Sequence, residues 1–260
     1  MTINDVVKCI DNAAPYKIAC DWDNSGFLIG RSDTSVTKIM IALDFTENVL
    51  SEAMESGCNL IVTHHPFIFK GINRITDETQ EGRLVLSLIE NGISLVCAHT
   101  NLDMANGGIN DVLCEKLELY DVVQLGFAGE DESGEKIGEF RMGKTNEMLY
   151  DFLKKIKSVL GCCSVKYSNS ENKRIKKVAV CSGSGCDFLS EAINAGADVF
   201  VTADAKYHNF QIAENNGIVL IDAGHFETEN IICDSLQKLL SDMGVEVLKS
   251  KSHKGFYKMM

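Results

Sequence analysis

Two stretches of this chain repeat one another, and the repeat restricts the fold more than any other feature. Leu50-Ser51-Glu52-Ala53 recurs as Leu189-Ser190-Glu191-Ala192, Gly57 recurs as Gly196 at the same offset, and Val62-Thr63 matches Val201-Thr202. Lys38-Ile39-Met40-Ile41 likewise faces Lys177-Val178-Ala179-Val180, and after a shift Gly92-Ile93-Ser94-Leu95-Val96 resembles Gly217-Ile218-Val219-Leu220-Ile221. Each copy alternates short β-branched or apolar runs with stretches of helical period. The first half reads as strand 38–43, helix 46–56, strand 59–63, helix 81–91 and strand 93–98. The second reads as strand 177–181, helix 187–195, strand 198–202, helix 206–215 and strand 218–222. Parallel strands need long crossover connections, which helices supply, so this alternation predicts sheets covered by helices. The expected fold class is therefore α/β: two similar α/β domains of duplicated βαβ units, with largely parallel sheets. The first domain is expected over 1–120 and the second over 121–222, with a C-terminal helix from the segment 223–260 packing at their junction.

Between the copies, Gly129-Glu130-Asp131-Glu132-Ser133-Gly134-Glu135 reads as a hairpin tip or linker, followed by a helix at 145–159. The stretch from Glu229 to Met243 reads as one helix opened by Glu227 and Glu229 and closed near Gly244.

Composition narrows the partners. Against 25 Lys and Arg stand 37 Asp and Glu, a net charge of −12, and an exterior so acidic repels nucleic-acid backbones and anionic lipid. No apolar run approaches the roughly 18 residues of a membrane span, and Met1-Thr2-Ile3-Asn4-Asp5 is not a signal peptide, so a cytoplasmic location is expected. Most of the cysteines lie singly in apolar stretches and no C-x-x-C pair occurs, which reads as buried, reduced thiols. A redox role lacks its paired motif.

The chemistry lies with the histidines. His64, His65, His99 and His225, four of only six, follow expected strands, where open α/β sheets form their ligand crevices. Adjacent His64 and His65 project to opposite sides of a strand end, so two ions serve them better than one. Asp103, in Ala98-His99-Thr100-Asn101-Leu102-Asp103, adds an oxygen ligand, and His225 and Glu229 fall on one helical face at a spacing of four. Five ligands, His64, His65, Asp103, His225 and Glu229, exceed the three of a mononuclear catalytic zinc and suit a dinuclear centre. Two divalent cations bring four positive charges against two carboxylates, which favours activated water and an anionic substrate. Zinc, iron, manganese and cobalt all accept such ligands.

At these residues the chain resembles the NIF3 family, whose members are also called GTP cyclohydrolase 1 type 2 homologues. The resemblance runs over nearly the whole length. It rests on Trp22-Asp23-Asn24-Ser25-Gly26, Thr63-His64-His65-Pro66, His99-Thr100-Asn101-Leu102-Asp103, Thr202-Ala203-Asp204 and Gly224-His225-Phe226-Glu227-Thr228-Glu229. It implies two linked α/β domains with a dinuclear metal centre at their junction, and a ring-shaped homohexamer with its sites facing an inner cavity. By motif position it places the metal ligands on His64, His65, Asp103, His225 and Glu229. Ala203 stands where the family pattern places Gly, which puts the turn at Asp204 in question.

Two function classes follow. The first is a metal-dependent hydrolase, of cyclohydrolase or phosphoesterase type, acting on a nucleotide or small phosphorylated metabolite, with His99 and Glu229 as the candidate catalytic residues. His99 is read as a group that orients a ligand or carries a proton. The second is a non-catalytic, metal-containing hexameric scaffold or regulatory protein-binding partner. Cys181-Ser182-Gly183-Ser184-Gly185-Cys186 reads either as a tight turn or as a phosphate-holding loop. Trp22 is expected as a core anchor, His208 on a cavity wall or a solvated helix face, and His253 as exposed.

Overall fold

The computed structural model describes residues 1–130, 134, 136–168 and 170–257. The chain forms two units, one of residues 1–102 with 232–254 and the other of 103–231 with the segment from Gly255.

In the first unit the strands Lys38–Ala42, Leu60–Thr63 and Ser94–Cys97 are nearly all apolar and almost wholly buried, as strands covered on both faces must be. They run parallel and in chain order across the sheet. Glu246–Lys249 adds a parallel edge beside Lys38–Ala42, and Gly26–Ile29 an antiparallel edge beside Ser94–Cys97. Ala42 pairs with Thr63 and Thr63 with Cys97, so all three parallel strands stop at one level. Helices Glu47–Glu55 and Gln80–Glu90 are opened by the hydroxyls of Thr46 and Thr79, which accept the backbone N–H groups of Val49 and Gly82. Their buried faces, Val49, Leu50 and Ala53 on one and Leu84, Val85 and Leu88 on the other, join Met40, Ala42, Ile61 and Leu95 in one apolar cluster.

The second unit repeats the plan. Arg174–Val180, Val199–Thr202 and Val219–Asp222 are parallel, again in chain order, with Val180 level with Val201 and Thr202 level with Asp222. Around Phe200 pack Ala179, Leu189, Ala192, Ala213 and Leu220. The sheet is extended by Lys136–Met148, antiparallel to Arg174–Val180, and by Tyr120–Glu130 at the edge; Lys166–Tyr167 closes the other side. Tyr120–Glu130 and Lys136–Met148 pair as the arms of a hairpin. Of the segment expected to form its tip, residues 131–133 and 135 lie outside the described residues.

Two expectations change. Leu149–Leu160 begins four residues later than expected because Lys136–Met148 stays extended up to it. The helix expected from Glu229 to Met243 is two helices, His225–Glu229 in the second unit and Ile232–Ser241 in the first. In the shorter one the Thr228 hydroxyl donates toward the carbonyls of Gly224 and His225 and accepts the Gly183 N–H, which binds this turn to the second unit's own loop. Among the described residues no helix is long and apolar enough to cross a membrane, and none of the ten cysteines is in a disulfide. Burial pushes the thiols of Cys114, Cys162 and Cys233 up to about 12.

Two buried polar anchors hold irregular chain in place. Arg141 is fully buried, and its guanidinium donates to both carboxylate oxygens of Asp111 at 2.7 and 3.1 Å and to the carbonyls of Gly138, Met104 and Ala105. Removing it by Arg141→Ala strands a half-buried carboxylate and three carbonyls and leaves a cavity, a loss of about 3–5 kcal/mol. Urea unfolding checks this, and a loss below about 1 kcal/mol would contradict it. In the first unit, Glu52 receives the Ser250 hydroxyl at 2.6 Å and the backbone N–H groups of Lys251 and Ser252 at 2.9 Å. Burial acts to raise its pKa, but these bonds hold it at about 2, against an ordinary 4.5. A depressed carboxylate stabilises the fold above its unfolded value and stops doing so as it is protonated. The protection of the amides of Lys251 and Ser252, corrected for the intrinsic exchange rate at each pH, should therefore fall as pH falls from about 4.5 toward 2, and Glu52→Gln should lower it at every pH above that window.

Candidate metal centre

The level strand ends of the first unit decide what stands beside what. The residues just past them are Leu43 and Asp44, His64 and His65, and Ala98 and His99. The chain turns here with the N–H groups of His64 and His65 both on the Leu43 carbonyl, and that of Ala98 on Thr63. Three imidazoles consequently meet, their ring centres 5.1 Å apart for His64 and His65, 5.2 Å for His64 and His99, and 5.6 Å for His65 and His99. One ligand atom from each lies within 4.8 Å of the others, close enough to share a cation.

Each ring is oriented from behind. Nδ1 of buried His64 is 2.8 Å from the Ala98 carbonyl, Nδ1 of His65 is 2.8 Å from Asp44, and Nδ1 of His99 is 2.8 Å from Asp23. A carbonyl or carboxylate behind Nδ1 takes the ring proton there and leaves Nε2 as the ligating or proton-accepting atom. The Asp23 side chain has no exposure and also receives the hydroxyls of Ser25 and Thr100 at 2.6 Å. Burial alone would raise its pKa, but the hydrogen bonds from His99, Ser25 and Thr100 hold it well below the usual carboxylate range. It stays ionised and fixes the orientation of the His99 ring.

The second unit carries the other group. His225 and Glu229 face each other across one helical turn with Nε2 and Oε2 at 2.9 Å, and His225 Nδ1 is 2.7 Å from Asp204. The hydrogen bond to Glu229 lifts the His225 pKa to about 9; burial opposes this, while the charges of Glu229 and Asp204 add to it. A proton thus sits between imidazole and carboxylate, where a divalent cation would otherwise bind both. Asp204 adopts φ +52, a conformation that Asp tolerates better than most residues, and buried Ala203 precedes it. The turn in question thus keeps Asp204 in place as the partner of His225.

Asp103 is set by its neighbours in sequence. Its carbonyl accepts Asn110 Nδ2 at 3.1 Å, and the next two carbonyls, of Met104 and Ala105, lie on Arg141. Its carboxylate and that of Glu229 act on the same wholly buried thiol, Cys181, whose pKa is raised first by burial and then by these two negative charges. His225 and Glu229 are thus brought together in the second unit, as His64, His65 and His99 are in the first, and the Asp103 carboxylate lies within electrostatic reach of the same thiol as Glu229. Three imidazoles in one group, and an imidazole with a carboxylate in the other, are donors of the kind that suit zinc, iron, manganese or cobalt.

The glycine-rich loop is a tight turn. The N–H of Ser182 goes to Asn110 Oδ1, that of Gly183 to the Thr228 hydroxyl, and that of Gly185 to the Thr202 hydroxyl. With these amides spent internally the loop does not cradle a phosphate. Its use is steric: Gly183, at φ +57, lies so close under Glu229 that a Cβ there would stand 2.0 Å from Oε1.

Three further expectations are settled. Trp22 is 61% exposed and anchors no core. His208 lies on an exposed helix face, and His253 is half-buried, with its pKa lowered by that burial. Sequence reading missed Asp44 altogether, although it follows its strand as His64 follows the next one. A cavity of about 790 Å³ opens beside Asp204, lined by Lys166, Asp222, Glu227 and Tyr257 among others. Lys166 is paired with Asp222 at 2.9 Å, so the carboxylates prevail and the cavity by itself repels anions.

A family model described as Duf34/NIF3 (NGG1p interacting factor 3) matches residues 1–255. A GTP cyclohydrolase 1 type 2 homolog of Clostridium perfringens is 38% identical over 259 residues, 98% of each chain. Another of that description, from Clostridium acetobutylicum, is 35% identical over 266 residues, covering 99% of this chain and 98% of its own. Among solved structures, the Staphylococcus aureus hypothetical protein SA1388 superposes with a TM-score of 0.92 at 30% identity, covering 100% of this chain and 99% of that one.

Asp204→Ala should lower divalent-metal affinity by about 10–100-fold, the usual cost of losing the carboxylate behind a ligating imidazole. Chelator competition reads this directly. Unchanged affinity would show that His225 needs no orienting partner.

Proposed function

We propose, on the premise that this chain belongs to the Duf34/NIF3 family, that it binds two divalent metal ions and hydrolyses a nucleotide or small phosphorylated metabolite. The ligands are His64, His65, Asp103, His225 and Glu229. The observation that carries this reading is the set of acceptors placed behind Nδ1 of His64, His65, His99 and His225 at 2.7–2.8 Å. Imidazoles supported in this way, each by a carbonyl or carboxylate, are characteristic of metal ligation.

Bound ions would supply Lewis-acid activation of water and stabilise charge developing on a phosphoryl or purine centre. The chain's own residues do the rest. Two divalent cations against Asp103 and Glu229 reverse the sign of the local field, so an anion is held where the acidic exterior alone would reject it. His99, oriented by ionised Asp23 behind Nδ1, takes or returns a proton at Nε2. Glu229, buried and pressed against Gly183, keeps one rotamer and so fixes both its oxygens. The relatives' description as GTP cyclohydrolase 1 type 2 homologs supports a nucleotide-related substrate.

A second reading is a non-catalytic, metal-containing homohexamer that binds a partner protein. The family's description as an NGG1p interacting factor supports it. So does the edge strand Tyr120–Glu130, which exposes Tyr120, Val122, Val123 and Phe127.

Elemental analysis should find two ions per chain in the parent protein and at most one in His225→Ala. The loaded parent should release phosphate or formate from nucleotides, with Glu229→Gln slower by at least 100-fold. Two ions with no turnover across a screen of phosphorylated metabolites would favour the second reading; a parent chain that takes up no ion would remove both.

A further inference from the structure

In the segment Trp22-Asp23-Asn24-Ser25-Gly26 the polar residues have evident structural roles. Asp23 fixes His99 and Thr100, Asn24 donates its side-chain amide to the Ile68 carbonyl, and Ser25 Oγ accepts the His99 N–H at 3.1 Å while donating to Asp23. Gly26 takes φ +127, open to glycine. Trp22 plays no comparable part. Its indole is 61% exposed and meets the His99 ring in a T-shaped contact, with centres 6.1 Å apart and planes at 74°. Phe69, 48% exposed, stands 5.9 Å away at 49°.

The Asn24 to Ile68 bond ties the loop that carries Trp22 to the loop that carries Phe69. The Asp23 bonds tie both to the histidine cluster. Two large, exposed aromatic rings are therefore carried on anchored loops at the margin of that cluster. Side chains already immobilised lose little freedom when a ligand stacks on them.

We propose that Trp22 and Phe69 form a stacking platform for a planar heteroaromatic ring, a nucleobase, of the molecule whose phosphate is held by the metal centre. The proposal rests on the hydrolase reading and names its substrate class. A nucleotide separates its phosphate from its base by one sugar, and the indole packs against His99, whose ring centre is 5.2 Å from that of His64 and 5.6 Å from that of His65. Stacking on an aromatic face accepts any base, so the platform confers preference for nucleotides over sugar phosphates rather than for one base.

Trp22 is the chain's single tryptophan, so its emission reports the platform alone. Guanosine 5′-monophosphate titrated into the metal-loaded full chain should quench that emission saturably, and ribose 5-phosphate should leave it unchanged. By calorimetry Trp22→Ala should weaken the nucleotide about ten- to hundred-fold while leaving ribose 5-phosphate within twofold, and Trp22→Phe should restore most of the loss. Phe69→Ala, with the indole intact, should weaken nucleotide binding less. Equal nucleotide affinity in Trp22→Ala and parent would overturn the platform and leave the hydrolase reading standing. Emission that follows protein dilution and ignores nucleotide would also overturn it, assigning the indole to a contact between copies. Quenching by guanosine in metal-stripped protein, with no turnover by loaded protein, would keep the platform and remove the hydrolase reading.

Discussion

Parallel strands that end level bring the residues just beyond them side by side, and both units depend on this. Thr63 is in register with Ala42 on one side and Cys97 on the other. Asp44, His65 and His99 therefore meet although up to 55 positions separate them, 99 − 44 in chain numbering. In the second unit Thr202 is level with Asp222, and this brings Asp204 to His225. A shift of one residue would send these side chains to the opposite faces of their sheets.

The electrostatics follow from that placement. Carboxylates at the strand ends do not balance the imidazoles one for one. They sit behind Nδ1 and direct Nε2, and in the second unit Glu229 on Nε2, with Asp204 adding to it from Nδ1, pushes the His225 pKa to about 9. Acidic groups thus serve separate ends: surface charge repels polyanions, while Asp23, Asp44 and Asp204 orient imidazole rings.

Much of the fold was legible because two signals are local. Continuous apolar runs mark strands buried on both faces, and the recurrence of Leu-Ser-Glu-Ala marks the duplicated helix. What escaped notice lay at the edges. Gly26–Ile29 is short, and its burial pattern follows no clean alternation. Ile3–Ala13 carries a capping box from Thr2 and Asp5 that was open to reading. The break after Glu229 was not, since Thr228 is drawn toward Gly183, 45 residues away in sequence. Of the candidate site, the donor residues could be found by type and position after strands. Asp44, Asp204 and Gly183 act through partners that only folding brings near.

The sequence by itself determined the α/β class, the duplicated plan, the family and the kinds of ligand atom available. These are set by periodicity, repetition and side-chain chemistry, all read along the chain. Tertiary structure alone decided which acceptor stands behind each imidazole, that the amides of Ser182, Gly183 and Gly185 are already used, and that Trp22 is exposed. Each of these depends on distances across a sheet or between loops, and such distances are fixed by register and packing, which no stretch of sequence carries on its own.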